Sequence, residues 1–290
     1  MFLSAKKSFL FTLPSLVFYG LFVVFPVFYG VYLSFTDIGS FIQKLNFIGF
    51  QNYLTIFAEG RFQNSFRITI IYVTITAVLI NVIALFIAVL LDNTRSRYLN
   101  SVVRVFVYLP AILTPILIGF IWYYIYKLGI PALFSLVGLK SLSRIRFLSP
   151  SFALSSVIMT TCWLNIGVAM LIYIAGLLSV DPNMIDAGSI DGANSWQKLV
   201  RIKLPLITHA FIINFVNTLV FAFKQFDQIW SMTKGGPAST TETLPLYIYL
   251  VAFQNAQIGR ASAAAYILFS IILVVSLVII VSLNRRAVRA

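Results

Sequence analysis

The sequence predicts an all-α polytopic membrane protein with six transmembrane helices. Three observations lead there. Of 290 residues, 60% are hydrophobic and only 10% are charged, whereas soluble domains carry about a quarter charged residues. A water-soluble fold of this length has too few charges to cover that apolar content. The apolar residues also come in continuous runs of about 20, the length that crosses a bilayer as a helix. An outer-membrane barrel would show alternating segments of about ten instead. Finally, the basic residues behind the net charge of +13 sit mostly between those runs. That is the ordinary pattern of membrane loops beside anionic lipid, and it argues against a nucleic-acid partner.

Composition also excludes chemistry. Cys162 is the only cysteine and His209 the only histidine, so neither a disulfide framework nor a Cys/His metal site is available. No Gly-x-x-x-x-Gly-Lys-Ser/Thr loop occurs, so this chain does not hydrolyse ATP by itself. No catalytic residue, metal or cofactor is expected.

The first span runs from about Ser8 to Phe35 and contains Pro14 and Pro26. Lys6 and Lys7 ahead of an apolar run also fit a signal peptide. The run is far longer than the roughly 7–15-residue core of such a peptide and lacks a small-x-small cleavage site, so a retained helix is expected. The second span, Phe66 to Leu91, ends at Asp92, Arg95 and Arg97. The third, Val102 to Tyr126, holds Pro110 and Pro115; proline is tolerated in lipid where neighbours satisfy the freed carbonyls. The fourth is Phe152 to Leu178 and the fifth Pro205 to Met232. The sixth, Ala261 to Leu283, closes on Arg285, Arg286 and Arg289. The whole of 1–290 reads as one transmembrane domain.

An even number of spans puts both termini on one side. Eleven Lys and Arg fall in segments on that side and nine, Lys44 among them, on the other. The termini-side segments are shorter and denser in charge, so the positive-inside rule favours cytoplasmic termini. The outer loops hold NFIGFQNY (Asn46 to Tyr53), a semi-apolar piece GIPALFSLVGL, and LPLYIYLVAF. The last is too short to span and is expected to be an interfacial helix.

The polar stretch Asp181 to Pro205, DPNMIDAGSIDGANSWQKLVRIKLP, interrupts the second half. Asp181 suits an N-cap and Pro182 a first helical turn, giving a short helix over Asn183 to Ile190. Gly192 is a natural stop. Ser195 can cap a second helix in which Trp196, Leu199, Val200 and Leu204 recur at near-helical spacing, a pattern for the membrane surface. On these grounds a plain linking hairpin and a docking helix stand level. The small residues Ala187, Gly188 and Ala193 allow a partner groove to approach closely.

Polar groups inside lipid usually face a bundle interior or cavity. In the fifth span Asn214, Asn217, Phe221, Lys224, Gln225 and Gln228 fall within roughly 100° on one helical face. Amides beside an aromatic ring suit a sugar. Asn214 reads instead as interhelical glue. Asp227 is placed to pair with Lys224 at i, i+3; an unpaired Lys224 would suit a phosphate or carboxylate, and both readings stay open. Asp227 is the only carboxylate within the spans, thin support for an ion-coupled secondary transporter.

Asp186-Ala187-Gly188-x-x-Asp191-Gly192-Ala193, followed by Leu199, Ile202, Leu204 and Pro205, resembles the signature loop of ABC importer permeases. That pattern reads Glu-Ala-Ala, two residues, Asp-Gly-Ala, then Phe, Ile and Leu-Pro at the same spacing. Asp186, Gly188 and Leu199 depart from it. FIGFQNY, Leu109-Pro110 with Pro115, the run Trp163 to Leu178, and Gly235-Gly236-Pro237 through Ala252-Phe253 are similar to binding-protein-dependent permeases of the maltose, multiple-sugar and glycerol-phosphate type. The resemblance implies the type I ABC importer permease fold with a cytoplasmic coupling helix. It implies that the loop 181–204 docks on separate ABC ATPase subunits through Asp186, Ala187, Gly188, Asp191, Gly192 and Ala193. It further implies a second, related six-span permease subunit, giving a heterodimer, and an extracellular or periplasmic solute-binding protein. The place would be the bacterial inner (cytoplasmic) membrane, multi-pass, with both termini cytoplasmic. The solute would be a sugar, with glycerol phosphate or another small anion as the alternative. Lys224 and Gln225 lie where similar permeases line their sugar site, and Trp163, Asn165 and Gly167 correspond to another site-lining segment; Asn217 and Phe221, on the same helical face, and Asp227, one row away, complete the candidates.

Overall fold

The computed structural model describes residues 5–39, 45–94 and 96–287; Lys44, Arg95 and Arg289, weighed above for orientation, lie outside these. The first span is α1 (Ala5–Tyr19), a π-helical turn (Gly20–Val24) and α2 (Phe25–Ser34). There follow α3 (Gln51–Ala58), α4 (Gly60–Asp92) and α5 (Arg97–Tyr108). Next come α6 (Pro115–Tyr124), α7 (Ile130–Leu136), α8 (Lys140–Ser143) and α9 (Ala153–Leu178). The polar stretch gives α10 (Pro182–Ile190), α11 (Ser195–Lys198) and α12 (Leu204–Leu206). Last are α13 (Thr208–Phe223), α14 (Asp227–Met232), α15 (Leu244–Tyr249) and α16 (Ile258–Ala287). Among the described residues five helices are long and apolar enough to cross a membrane. A sixth crossing requires the pair Ser195–Leu206 and Thr208–Phe223, bent by 67°, to count as one.

Two expected spans are corrected. Residues 102–126 are not one helix. Pro110 and Pro115 lack the N–H that would continue it, and each disfavours helix in the residue before it. The chain therefore ends α5, passes through a 3₁₀ turn (Leu109–Ile112) and restarts with Pro115 in the first helical position, where its missing N–H costs nothing. Helix α6 then continues through a π-helical turn (Ile125–Gly129) into α7. The spanning helix is Pro115–Leu136, and much of GIPALFSLVGL belongs to it rather than to a loop. The fifth span is also interrupted. Helix α13 stops at Phe223 and α14 starts at Asp227. Lys224 caps α13 by donating its N–H to Val220 and Phe221 carbonyls.

The chain forms two compact units: Met1–Gln63 with Tyr247–Ser270, and Asn64–Leu246 with Ile271–Ala290. In the first, the NFIGFQNY motif closes the end of α2. Buried Asn52 donates from Nδ2 to the Ser34 and Thr36 carbonyls at 2.9 and 2.8 Å. Phe35 packs among Phe47, Phe50 and Tyr53. Asn46 donates to the Asp37 carboxylate from both its side chain and its backbone N–H, at 2.9 and 3.0 Å. Those bonds, the side-chain one first, hold the Asp37 carboxyl below its ordinary value. Tyr247 donates to Glu59 at 2.8 Å.

In the second unit α9 is the central helix: 61% of its apolar window is buried. Polar side chains tie helices to it. Tyr72 on α4 donates to Thr161 at 3.0 Å, and Thr161 lies 3.4 Å from Gln228 Oε1 on α14. Tyr173 donates to Asn81 on α4 at 2.6 Å. Asn214 on α13 donates to the Ala169 carbonyl at 3.2 Å. In lipid such bonds are each worth about 1 kcal/mol. Asn214 is therefore the interhelical glue its sequence position suggested.

Candidate coupling segment and solute pathway

Helix α10 begins as expected: the Asp181 carboxylate accepts from the Asn183 N–H and Pro182 occupies the first turn. Its C-terminus explains Asp191-Gly192-Ala193. Gly192 has φ +79°, a left-handed conformation cheap only for glycine. The Gly192 N–H donates to Ser189 and the Ala193 N–H to Gly188. These are the paired closing bonds of a Schellman cap. The next helix is capped not by Ser195 but by Asn194, which exchanges side-chain bonds with Gln197 in a capping box. Asn194 wins because the glutamine three residues into its helix can reciprocate. Leu199–Lys203 is then π-helical.

Gly188 is where the two arms meet. A Cβ there would lie 2.6 Å from Ile202 Cδ1. Lys198 donates to the Ser189 hydroxyl at 3.1 Å. Otherwise α10 stands clear: it has no buried residue, and Ile190 is 87% exposed. Asp186, Ala187 and Asp191 are exposed with it. The base of the segment is tied down, because Lys203 forms an ion pair with Asp92 at the end of α4. Beside it Trp196, 70% exposed, lines an apolar groove with Phe86, Leu90 and Leu199.

The pathway candidates divide. Asn165, Asn217 and Phe221 line one cavity of about 150 Å³ between α9 and α13, so the fourth- and fifth-span candidates converge there. Asn165 also donates to the Thr161 carbonyl at 2.8 Å. The others separate because the helix stops at Phe223. Lys224 and Asp227 are both exposed, and no ion pair joins them among the described residues; of the two readings left open, the i, i+3 pairing needs a turn of helix that is not there. Gln225 turns inward at 5% exposure, and its buried Nε2 has no protein acceptor. Trp163 is 43% exposed and meets Trp122 edge-on at 5.5 Å. Gly167 does not line that cavity. A Cβ there would fall 2.5 Å from the Val107 carbonyl and 2.6 Å from Tyr108 Cα, so it is the point where the α5 backbone crosses α9. Sequence reasoning did not anticipate Trp122, whose ring partner Trp163 lies on another helix, or the Lys203–Asp92 pair, whose partners are 111 positions apart.

Apolar helices long enough to cross a membrane, with one exposed polar helix hairpin between them, define a polytopic membrane protein. The pattern of the family described as "Binding-protein-dependent transport system inner membrane component" matches residues 80–290. The chain belongs to that family. A probable starch degradation products transport system permease protein of Thermoanaerobacterium thermosulfurigenes is 34% identical over 96% of this chain and 94% of its own length. A multiple sugar-binding transport system permease protein of Streptococcus mutans serotype c is 29% identical over 92% and 91%. A crystal structure of a bacterial ABC transporter for the import of the acidic polysaccharide alginate superposes with TM-score 0.81, covering 98% of this chain and 96% of its own at 23% identity. The fold is that of a type I ABC importer permease.

Proposed function

We propose that this chain is the transmembrane subunit of an ATP-binding-cassette importer for a sugar, with residues 1–290 acting as one permease domain. It is not itself an enzyme. It works with cytoplasmic ATPase subunits, a second, related permease chain and a solute-binding protein outside the cell. The observation that carries this reading is α10: a capped helix with no buried residue, presenting Asp186, Ala187, Asp191 and Ile190 outward in a family member. A polar, capped helix whose contacts with its own chain run mainly through Gly188 with Ile202 and Ser189 with Lys198 leaves its outer face open to a partner. Asp186, Ala187, Gly188, Asp191, Gly192 and Ala193 couple it to the ATPase, and the loop 181–204, with both termini, is on the cytoplasmic face of the bacterial inner membrane. ATP-driven closure of the motor moves α10. The Lys203–Asp92 pair passes that movement to α4. The bundle rocks around a pathway lined by Trp163, Asn165, Asn217 and Phe221, with Lys224, Gln225 and Asp227 at the α13–α14 break.

Cys162 is buried, so Ala193→Cys introduces the accessible thiol. In membranes of the intact transporter it should cross-link to the ATPase subunit, and Asp191→Ala/Gly192→Val should abolish uptake at unchanged membrane abundance. Absence of the cross-link together with normal uptake by the double variant rejects the coupling role.

A further inference from the structure

A cavity of about 840 Å³ opens at the end of α9 away from α10, between the Tyr123–Lys127 turn, the Arg144–Pro150 turn and Met232–Pro237. That volume is in the range, roughly 300–1,000 Å³, of small-molecule sites. Lys127, Arg144 and Arg146 line it, all three exposed. No Asp or Glu lines it, and the sequence has none between Asp92 and Asp181. Among the described residues neither Arg144 nor Arg146 forms an ion pair. An ordinary solvated face intersperses both signs; this concave one carries a single sign.

Its floor is aromatic. Phe147 lies 5.8 Å from Tyr126, Tyr126 lies 5.1 Å from Trp122, and Trp122 lies 5.5 Å from Trp163. Phe147 and Tyr126 line the cavity with Tyr123, and Trp122 and Trp163 continue the ring packing behind it. Ring faces pack against the C–H faces of sugars, and guanidinium forks match carboxylates through paired N–H bonds. A neutral sugar would use the rings and leave the cations idle. A simple anion would use the cations and leave the rings idle. A ligand that uses both is a sugar bearing carboxylates.

We propose that this vestibule is the entry site for an acidic, uronate-type carbohydrate, held at its carboxylates by Arg144 and Arg146 with Lys127 beside them. Phe147 and Tyr123, the half-buried rings of its lining, pack on the sugar rings. The inference rests on the importer reading above and narrows its solute.

The test uses the transporter purified from its host through a tag on this chain and set in nanodiscs. Tryptophan fluorescence follows titration with trigalacturonate and with maltotriose. Trigalacturonate should bind about tenfold or more tightly than maltotriose. R144Q/R146Q should lose about tenfold or more of that affinity and leave maltotriose binding as it was. High salt should reproduce the loss. Equal binding of the two sugars by the native protein, or unchanged trigalacturonate binding by the variant, overturns the proposal. So does a variant that sheds the co-purifying binding protein with sugar affinity intact, which makes the cavity a protein interface. Import of neutral sugars with none of the acidic one removes this inference and keeps the importer. Failure to bind or import any sugar removes both.

Discussion

At the scale of single residues, three side-chain environments make sharp demands. Gly192 is left-handed, so Gly192→Ala should strain α10 by about 1–2 kcal/mol. Uptake per inserted molecule should fall, whereas Gly188→Ala, opposed only by the movable Ile202 Cδ1, should stay near normal. Gln225 buries an amide N–H₂ without an acceptor, which costs stability. Gln225→Leu should therefore hold or raise thermal stability, by up to about 1 kcal/mol, while changing solute affinity; a thermal melt beside an uptake assay separates the two. Asp37 has its carboxyl lowered by Asn46. Its contribution is present above the ordinary carboxylate value and is lost as pH falls through the lowered one. Asn46→Ala should bring that loss at higher pH, read from an Asp37 carboxyl NMR titration; an unmoved midpoint would show the clasp does not hold in solution.

At the scale of elements, the Lys203–Asp92 pair joins the π-helical end of the coupling segment to α4. Lys203→Met leaves a part-buried carboxylate alone and should cost about 1–3 kcal/mol. Asp92→Asn/Lys203→Met should recover part of it in a double-mutant cycle, and uncoupled ATP hydrolysis should accompany the single change. Strict additivity would mean the pair is not an energetic link. The same scale shows what could be read in advance. The fourth span was legible almost to the residue because no proline or glycine cluster interrupts it before Ser179. The third was misplaced although its prolines were in view, because their tolerance in lipid and their power to end a helix pull opposite ways. The stop after Phe223 has no sequence signal: neither Pro nor Gly marks Lys224-Gln225-Phe226.

For the molecule as a whole, class and crossings follow from composition, because lipid admits few backbone solutions. The exposed helix hairpin from Pro182 to Lys198 was legible too, since caps and the left-handed glycine are local. The pathway was not, because it depends on which helix faces which. Asn165 and Asn217 meet across a cavity, and Gly167, eligible by position, turned out to face a backbone crossing. Charge adds a global statement. Every acidic residue lies at or before Asp92 or at or after Asp181, so the intervening α5–α9 region carries positive charge alone.

The solitude of α10 has a further consequence. Because it touches its own chain mainly through Gly188 with Ile202 and Ser189 with Lys198, its outward residues are free of duties inside the bundle. Those two contacts and the caps are all a foreign helix must reproduce. On the coupling role proposed above, partner choice in this chain is modular. Exchanging residues 182–191 for those of another permease should redirect it to that permease's motor without disturbing insertion, and a graft that inserts but recruits neither motor would show that recognition extends beyond the helix.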